Sequence, residues 1–328
     1  MLRADLHVHS YHSGYASHLK ILRARDCYSE PEAVYATAKA RGMDLVTITD
    51  HDSIGGCLEF LDRHPDADDF FVSEEIECVF PDTDFKVHIG AYDIDETIHR
   101  EIQPLRRNVF EAAAYLQRRG VFYVLNHPFF FFKDQMPLPQ YVGIALETFP
   151  AFEVRNGTML AEHNELAAAI ARATGGGAGS IVTVGGSDSH TLSGVGTTYT
   201  EAPGTNRREF LANLRAGLGR PGGVHGSAAR EAREIYGVVA RYWASLVGVG
   251  RQELSWRRRA FGLAFSAVSM PFEFIPLIVA FLDKRGEAAR VARYARQWAH
   301  ASRTAAATSV GDSLGTALRA ARQSVESL

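Results

Sequence analysis

Six histidines sit at or just past the ends of short apolar runs that read as β-strands. They are His7 and His9 in RADLHVHS, His51 in LVTITDHD, His88 in FKVHIG, His127 in VFYVLNHP and His190 in IVTVGGSDSH. Carboxylates stand beside them: Asp5, Asp50, Asp52 and Asp188, with Glu74, Glu75 and Glu77 in SEEIEC. Imidazoles with a few carboxylates suit Zn, Mn or Fe better than Ca or Mg. The period of two in His7-x-His9 puts both rings on one strand face, about 7 Å apart along the backbone, so both can reach one ion. Asp188-x-His190 repeats that geometry with one carboxylate. These donors outnumber the four that a single tetrahedral ion takes, so two or three ions are expected. A pair of such ions acidifies a water toward neutral pH and supplies a nucleophile for hydrolysis.

The elements that must carry these residues alternate. LRADLHVHS has strand periodicity, with Leu6 and Val8 opposite the two histidines. SEPEAVYATAKARG follows as a helix with a capping-box start (Ser29, Glu32) and Gly42 as its stop. MDLVTITD is β-branched enough for a buried parallel strand. FFVSEEIECVF and FKVHIGAYDI read as consecutive strands across the turn PDTD. The helix REIQPLRRNVFEAAAYLQRRG then feeds VFYVLNHP, and the helix AEHNELAAAIARATGGG lies between the strands AFEVRNG and SIVTVGGSDSH. This βα alternation predicts a parallel α/β architecture with functional residues at the carboxyl ends of its strands.

After TEAPGT the pattern becomes mainly helical. The expected division is an α/β barrel over residues 1–204 and a helical region over 205–328, with 221–227 as a joint inside the second part. Residues 1–204 hold 16 Lys and Arg against 29 Asp and Glu, a net of −13; residues 205–328 hold 19 against 9, a net of +10. An acidic first part suits a cation site. An Arg-rich second part suits an anionic partner, whether a membrane surface, a nucleic acid or the acidic part itself, unless its charges are only solvated helix faces. Ala260–Leu282 is a 23-residue apolar run with Glu273 as its only charge, long enough to cross a bilayer. Pro271, Pro276 and Glu273 favour a core helix pair or a half-buried interfacial segment instead, which makes 257–285 the expected place for peripheral membrane contact. Cys27, Cys57 and Cys78 form no CxxC pair or even disulfide set, and with polar first residues they point to a reducing, cytoplasmic setting without a cleaved leader.

DLHVHS, TDHD, the glutamate of SEEIEC, VHIG, NHP and GSDSH occur in the order of the polymerase-and-histidinol-phosphatase (PHP) family, and residues 1 to about 200 resemble that family. The resemblance implies a distorted (βα)7 barrel and a site of two, or three, divalent ions. Carried over by position, it implies His7, His9, His51, Glu75, His88, His127, Asp188 and His190 as ligands. Glu75 matches the glutamate of the family's Gly-x-Glu pattern, with Ser73 in the glycine place and Glu74 and Glu77 as neighbouring competitors. One departure bears on the third ion: the family's first motif continues Ser-Asp-Gly, whereas HSYHSGYAS puts Gly14 where that aspartate is expected. His12, two residues earlier, is either a substitute or an exposed loop residue.

Most characterised relatives hydrolyse phosphate esters, so a small phosphorylated substrate is expected. Asp188 and His190 are the expected catalytic residues with Asp52, and His190, or Asp52 through a water, would protonate the leaving group. Lys20, Arg23 and Arg25, with Arg155 and Asn156, are candidate phosphate contacts, and FFFF at 129–132 is a candidate pocket wall or an ordinary loop anchor. The glycine cluster at 175–179 lacks the Lys-Ser/Thr of a P-loop and reads as a helix stop. Two rivals remain: an amide or lactone hydrolase using the same nucleophile, and a metal-stabilised binding module whose function lies in the basic helical tail. A nucleic-acid substrate also stays open.

Overall fold

The computed structural model describes residues 1–16, 22–175, 180–250, 254–272 and 274–307. The chain runs β1 (Leu2–Ala4), α1 (Pro31–Ala40), β2 (Val46–Ile48), α2 (Gly55–Arg63), β3 (Phe70–Val79), β4 (Lys86–Tyr92), α3 (Glu96–Ile102), α4 (Val109–Arg118), β5 (Phe122–Asn126), α5 (Leu138–Thr148) and β6 (Ala151–Asn156). It continues through α6 (Ala161–Ala173), β7 (Val182–Gly186), β8 (Thr198–Ala202), α7 (Arg207–Arg215), β9 (Arg220–Gly223), α8 (Ala228–Leu246), α9 (Trp256–Ser269) and α10 (Ile275–Ala307). The expected capping box does not form at α1: Glu30 is the cap residue without a side-chain bond, and Glu32 pairs with His64 at 2.8 Å. Gly42 follows α1 at φ +80°, a conformation that suits glycine at a helix stop.

β2 to β7 form one six-stranded sheet in sequence order. β2–β3, β5–β6 and β6–β7 are parallel, while β3–β4 and β4–β5 are antiparallel. This departs from seven regular βα units. The short PDTD connection can only return the chain antiparallel, because a parallel neighbour needs a crossover of a dozen residues or more. The sheet curls, and the first chain segment bridges its two edges. Ala4 pairs with Leu45 and Val8 with Ser189, both parallel, and the His9 N–H reaches the Ser189 carbonyl at 3.0 Å. That closure brings the ends of the first segment, β2, β3, β5 and β7 together.

A second sheet has the order β1-β8-β9, and Phe210, Leu211 and Leu214 of α7 are buried against Ala4, Leu6, Val184 and Ala202. Packing therefore carries the β-containing unit past the boundary expected at 204, through β9. The helices beyond it are tied to the same body. Val291 and Tyr294 of α10 are buried in the main core, with the Tyr294 hydroxyl donating to the Phe132 carbonyl at 3.0 Å. The Lys284 ammonium, buried, donates to the Thr158 carbonyl and to Glu287, both at 2.8 Å.

The apolar run is not a core helix pair. α9 and the start of α10 meet at a 67° bend, and the side chains around it are exposed. Among the described residues no single helix is long and apolar enough to cross a membrane. Glu273, the glycine cluster at 176–179 and the chain after 307 lie outside the described residues. All three cysteines are buried free thiols.

Candidate metal centre

Glu75 lies at the middle of the imidazoles. Its Oε1 is 3.1 Å from His7 Nε2, 3.0 Å from His88 Nδ1 and 3.2 Å from His127 Nε2; its Oε2 is 2.9 Å from His51 Nδ1 and 3.6 Å from His9 Nε2. Asp188 Oδ1 lies 3.4 Å from both His7 Nε2 and His9 Nε2, and 4.0 Å from His190 Nδ1. Four overlapping triads result, each with its donor atoms within 4.8 Å of one another: His7–Glu75–His127, His51–Glu75–His88, His7–His9–Asp188 and His9–His51–His190. All eight residues expected as ligands are in this cluster. Strand alternation separates Glu75 from Glu74, which turns to the other face and meets His99 Nδ1 at 2.8 Å. Glu77 shares the face of Glu75 but lies farther out, 2.7 Å from Lys86 Nζ and 3.8 Å from His88 Nε2.

The backbone is bent to aim these groups. His127 and Asp188 both hold left-handed conformations, at φ 28° and 51°, and such strain in non-glycine residues persists where surrounding structure enforces it. Gly186 ends β7 against His7: a Cβ there would lie 2.4 Å from the His7 Cβ.

Three residues that the sequence did not single out complete the site. Glu153, buried in β6, accepts from His7 Nδ1 at 3.0 Å and from the His127 N–H at 2.9 Å. Ser13 lies 3.0 Å from His9 Nδ1 and donates to Asp50 at 2.7 Å. Such partners fix the ring that faces a metal. Asp26 Oδ2 is 2.8 Å from His190 Nε2 and 3.5 Å from His51 Nε2. It reaches them because the chain leaves at Gly14 and comes back beside it. Tyr15 bridges Arg25 antiparallel, and the Asp26 N–H donates to the Gly14 carbonyl at 3.2 Å. A carboxylate thus stands beside the glycine where the first motif lacks one. His12 turns away to Glu59, at 2.9 Å.

The residues fit divalent ions. Among the described residues, His7 Nε2, His9 Nε2, Glu75 Oε2, both ring nitrogens of His88 and His127 Nδ1 are buried without a hydrogen-bond partner. Buried polar atoms are normally satisfied, and here several unsatisfied ones converge. Burial opposes charge on His7 and His51, but the carboxylates around them outweigh it and hold both well above the usual imidazole range. His190 rises to about 9, burial being overcome mainly by Asp26. His9 falls to about 3 through burial and the neighbouring His190 and His51. Burial would raise Glu75, Asp188 and Asp26, yet the surrounding imidazoles hold all three well below the usual carboxylate range. The metal-free site is a lattice of opposite charges that ions would replace.

Other expected site residues sit differently. Asp52 is paired with Arg106 and accepts the Glu77 N–H at 2.9 Å, so it is not a free acid at the cluster. Asn156 is buried and donates to Asp188 Oδ2 at 3.0 Å and Glu153 Oε2 at 2.8 Å, a support rather than a phosphate contact. Arg155 is held by the Gly223 carbonyl at 2.9 Å and by His225. Arg23 lies over the Tyr15 ring, and Lys20 lies outside the described residues. The phenylalanines divide: Phe129 and Phe132 anchor in the core, while the ring centroids of Phe131 and Phe130 lie 4.8 Å from that of His88 and 5.2 Å from that of His127. A cavity of about 490 Å³ adjoins His190 and is lined by Arg25, Tyr28, Arg233 and Arg241 among others.

Residues 161–218 match the family model described as PHP-associated. That match spans 58 residues and supports the likeness to the PHP family. Over 58 residues, 18% of the chain, it is 40% identical to an uncharacterized protein of Methanocaldococcus jannaschii, and the match spans 33% of that protein's length. A two-domain protein of Bacteroides vulgatus containing a predicted PHP-like metal-dependent phosphoesterase is similar at TM-score 0.47 and 14% identity, covering 72% of this chain and 69% of that one. PsfC from Pseudomonas syringae is similar at TM-score 0.47 and 19% identity, covering 75% of this chain and 100% of the other.

Proposed function

We propose that the chain is a metal-dependent hydrolase of phosphate esters, acting on a small phosphorylated substrate. The observation that carries this reading is the fully buried Glu75 carboxylate ringed by five imidazoles, of which His7, His9 and His88 have inward nitrogens without a hydrogen-bond partner. Two divalent ions of the Zn, Mn or Fe type, held with Glu75 among their ligands, would activate water at neutral pH and polarise the phosphoryl oxygens. His7, His127 and Asp188 would hold one ion, and His51 and His88 the other. His190 with Asp26 and His9 offers a third position. With no ion at that third position, His190, which lines the cavity and has its pKa raised to about 9, is the residue to protonate a leaving alkoxide. Asn156 and Thr158, both 3.0 Å from Asp188 Oδ2, keep that carboxylate oriented. Phe130 and Phe131 shield the cluster, and Arg25, Arg233 and Arg241 give the cavity the charge to hold an anion.

The test is metal analysis of the purified protein alongside turnover of p-nitrophenyl phosphate, bis-p-nitrophenyl phosphate and p-nitrophenyl acetate. Two or more ions per chain with phosphate-ester turnover, abolished in His9→Ala and Asp188→Ala variants that keep their fold, is the expected result. Fewer than two ions after reconstitution, or turnover of the acetate alone, would overturn the reading.

A further inference from the structure

The apolar hairpin formed by α9 and the first turns of α10 is unaccounted for by the barrel or its site. We propose that it inserts into one leaflet of an anionic lipid bilayer and holds the protein at the membrane surface. Phe265, Val268, Phe272, Phe274, Leu277 and Phe281 are each between 41% and 75% exposed. At roughly half exposure of side chains of this size, these six alone present on the order of 500 Å² of apolar surface, at the upper end of what a water-soluble monomer shows.

The distribution of that surface selects its occupant. A partner helix or groove takes one stripe, at i, i+3 and i+4, and leaves the far side polar. On α10, however, Ile275, Leu277, Ile278, Val279, Phe281 and Leu282 are all exposed, so apolar side chains point around the whole helix and only Ala280 is covered. Lipid chains solvate every face at once; a protein groove does not.

The geometry fits one leaflet. Pro271 lies at the break and Pro276 just beyond it, and the two helices bend by 67°. Shared between two arms, that bend tilts each by about 34°, so α9, about 21 Å long at 1.5 Å per residue, carries the tip roughly 12 Å below its start. That is far short of the ~30 Å hydrocarbon core and close to the ~5–10 Å depth of interfacial helices.

The charges agree. Arg257, Arg258 and Arg259 open α9 and place three cations at its shallow end, where anionic headgroups lie; at the α10 end Asp283 offsets Arg285, and Lys284 is buried against Glu287. Trp256, 75% exposed, sits at the same level, the usual depth of interfacial tryptophans. The root is fixed to the protein. Gly262 lets α9 approach α8 so closely that a Cβ would lie 2.5 Å from Leu246 Cδ2, and Lys284 ties α10 to Thr158.

The experiment is flotation of the full chain with phosphatidylcholine vesicles containing a quarter phosphatidylglycerol, at low salt and in 0.5 M NaCl. It is run beside a Phe265→Asp/Leu277→Asp variant, whose exposed positions leave the fold intact, with circular dichroism and metal content as controls. The expected result is co-flotation of the wild type that persists in high salt, a blue shift of tryptophan emission with vesicles, and at least a tenfold loss of binding in the variant. The proposal is overturned if the wild type stays unbound, or floats equally well with the variant. It is also overturned if light scattering shows a dimer that the variant dissolves without any lipid binding, or if 0.5 M NaCl abolishes the binding altogether. None of these outcomes depends on the hydrolase reading.

Discussion

Glu153→Gln changes one atom and should unseat the centre. The Glu153 carboxylate can only accept, so His7 donates from Nδ1, at 3.0 Å, which leaves Nε2, beside Glu75 and Asp188, as the atom to bind an ion once its proton is displaced. The other carboxylate oxygen accepts the His127 N–H at 2.9 Å and the Asn156 amide at 2.8 Å. Glutamine cannot serve both sides. With its oxygen toward His7, its NH2 faces two donors in a buried site, which costs about 1–3 kcal/mol of stability. With its NH2 toward His7, Nδ1 becomes an acceptor and Nε2 carries a proton where an ion should bind. Loss of a group that orients a ligand histidine weakens metal binding about 10–100-fold, or about 1.4–2.7 kcal/mol. Calorimetric titration of the metal-free protein with Mn or Zn reads this directly, with circular dichroism confirming the fold. A folded Glu153→Gln variant with wild-type affinity would refute the reasoning, because His7 would then need no fixed tautomer.

Asp26→Asn should remove the weakest-held ion and leave the Glu75-bridged positions filled, read as a drop in ions per chain on titration; unchanged stoichiometry would show that Asp26 holds no ion. Metal affinity should fall as pH falls. His7, His51 and His190 carry protons in the metal-free protein, His190 with a pKa of about 9, and ions must displace them. Below that value, affinity should weaken by about tenfold per pH unit for each proton displaced. Titration in buffers of different ionisation enthalpy should show protons released at pH 7, and release of none would contradict this charge pattern. Lys284→Met should cost about 3–5 kcal/mol in urea unfolding, because it leaves Glu287 buried without its ammonium 2.8 Å away; a loss below about 1 kcal/mol, within the range of an exposed ion pair, would mean the pair does not clamp α10 to the barrel.

The clustering of the eight candidate ligands was legible in the sequence because their chemistry and their positions coincide. A histidine directly after a β-branched run stands at a strand end, and strand ends meet on one rim when a sheet curls. Glu75 was preferred to Glu74 by the family pattern, and the period of two explains why Glu74 turns away to His99. Asp26 was not legible. It arrives through a loop excursion from Gly14, and no periodicity announces which residue of such a loop returns to the rim. Glu153 left a signal that went unused: a carboxylate inside the apolar strand AFEVRN must have a buried partner, since charges are rarely buried unpaired.

The second half shows the limit of composition more sharply. Pro203–Gly204 reads as a boundary, and β9 is RPGG, a sequence with no strand propensity. It is a strand only because the edge of β8 offers it hydrogen bonds, so the end of the barrel was set by tertiary pairing and was invisible locally. The apolar run from 260 to 282 reads as a core pair or an interfacial segment ahead of a span, and no further, because hydropathy measures what a segment avoids and not what covers it. The two prolines fix the bend, and α8 fixes the root, but only the packing around the bend distinguishes the three. With the barrel already buried against α10 at Val291 and Tyr294, no core is left for the hairpin tip to enter. Among the described residues none covers those apolar side chains, and the run of Arg257, Arg258 and Arg259 at the root of α9 is the charge on which the proposed anionic surface rests.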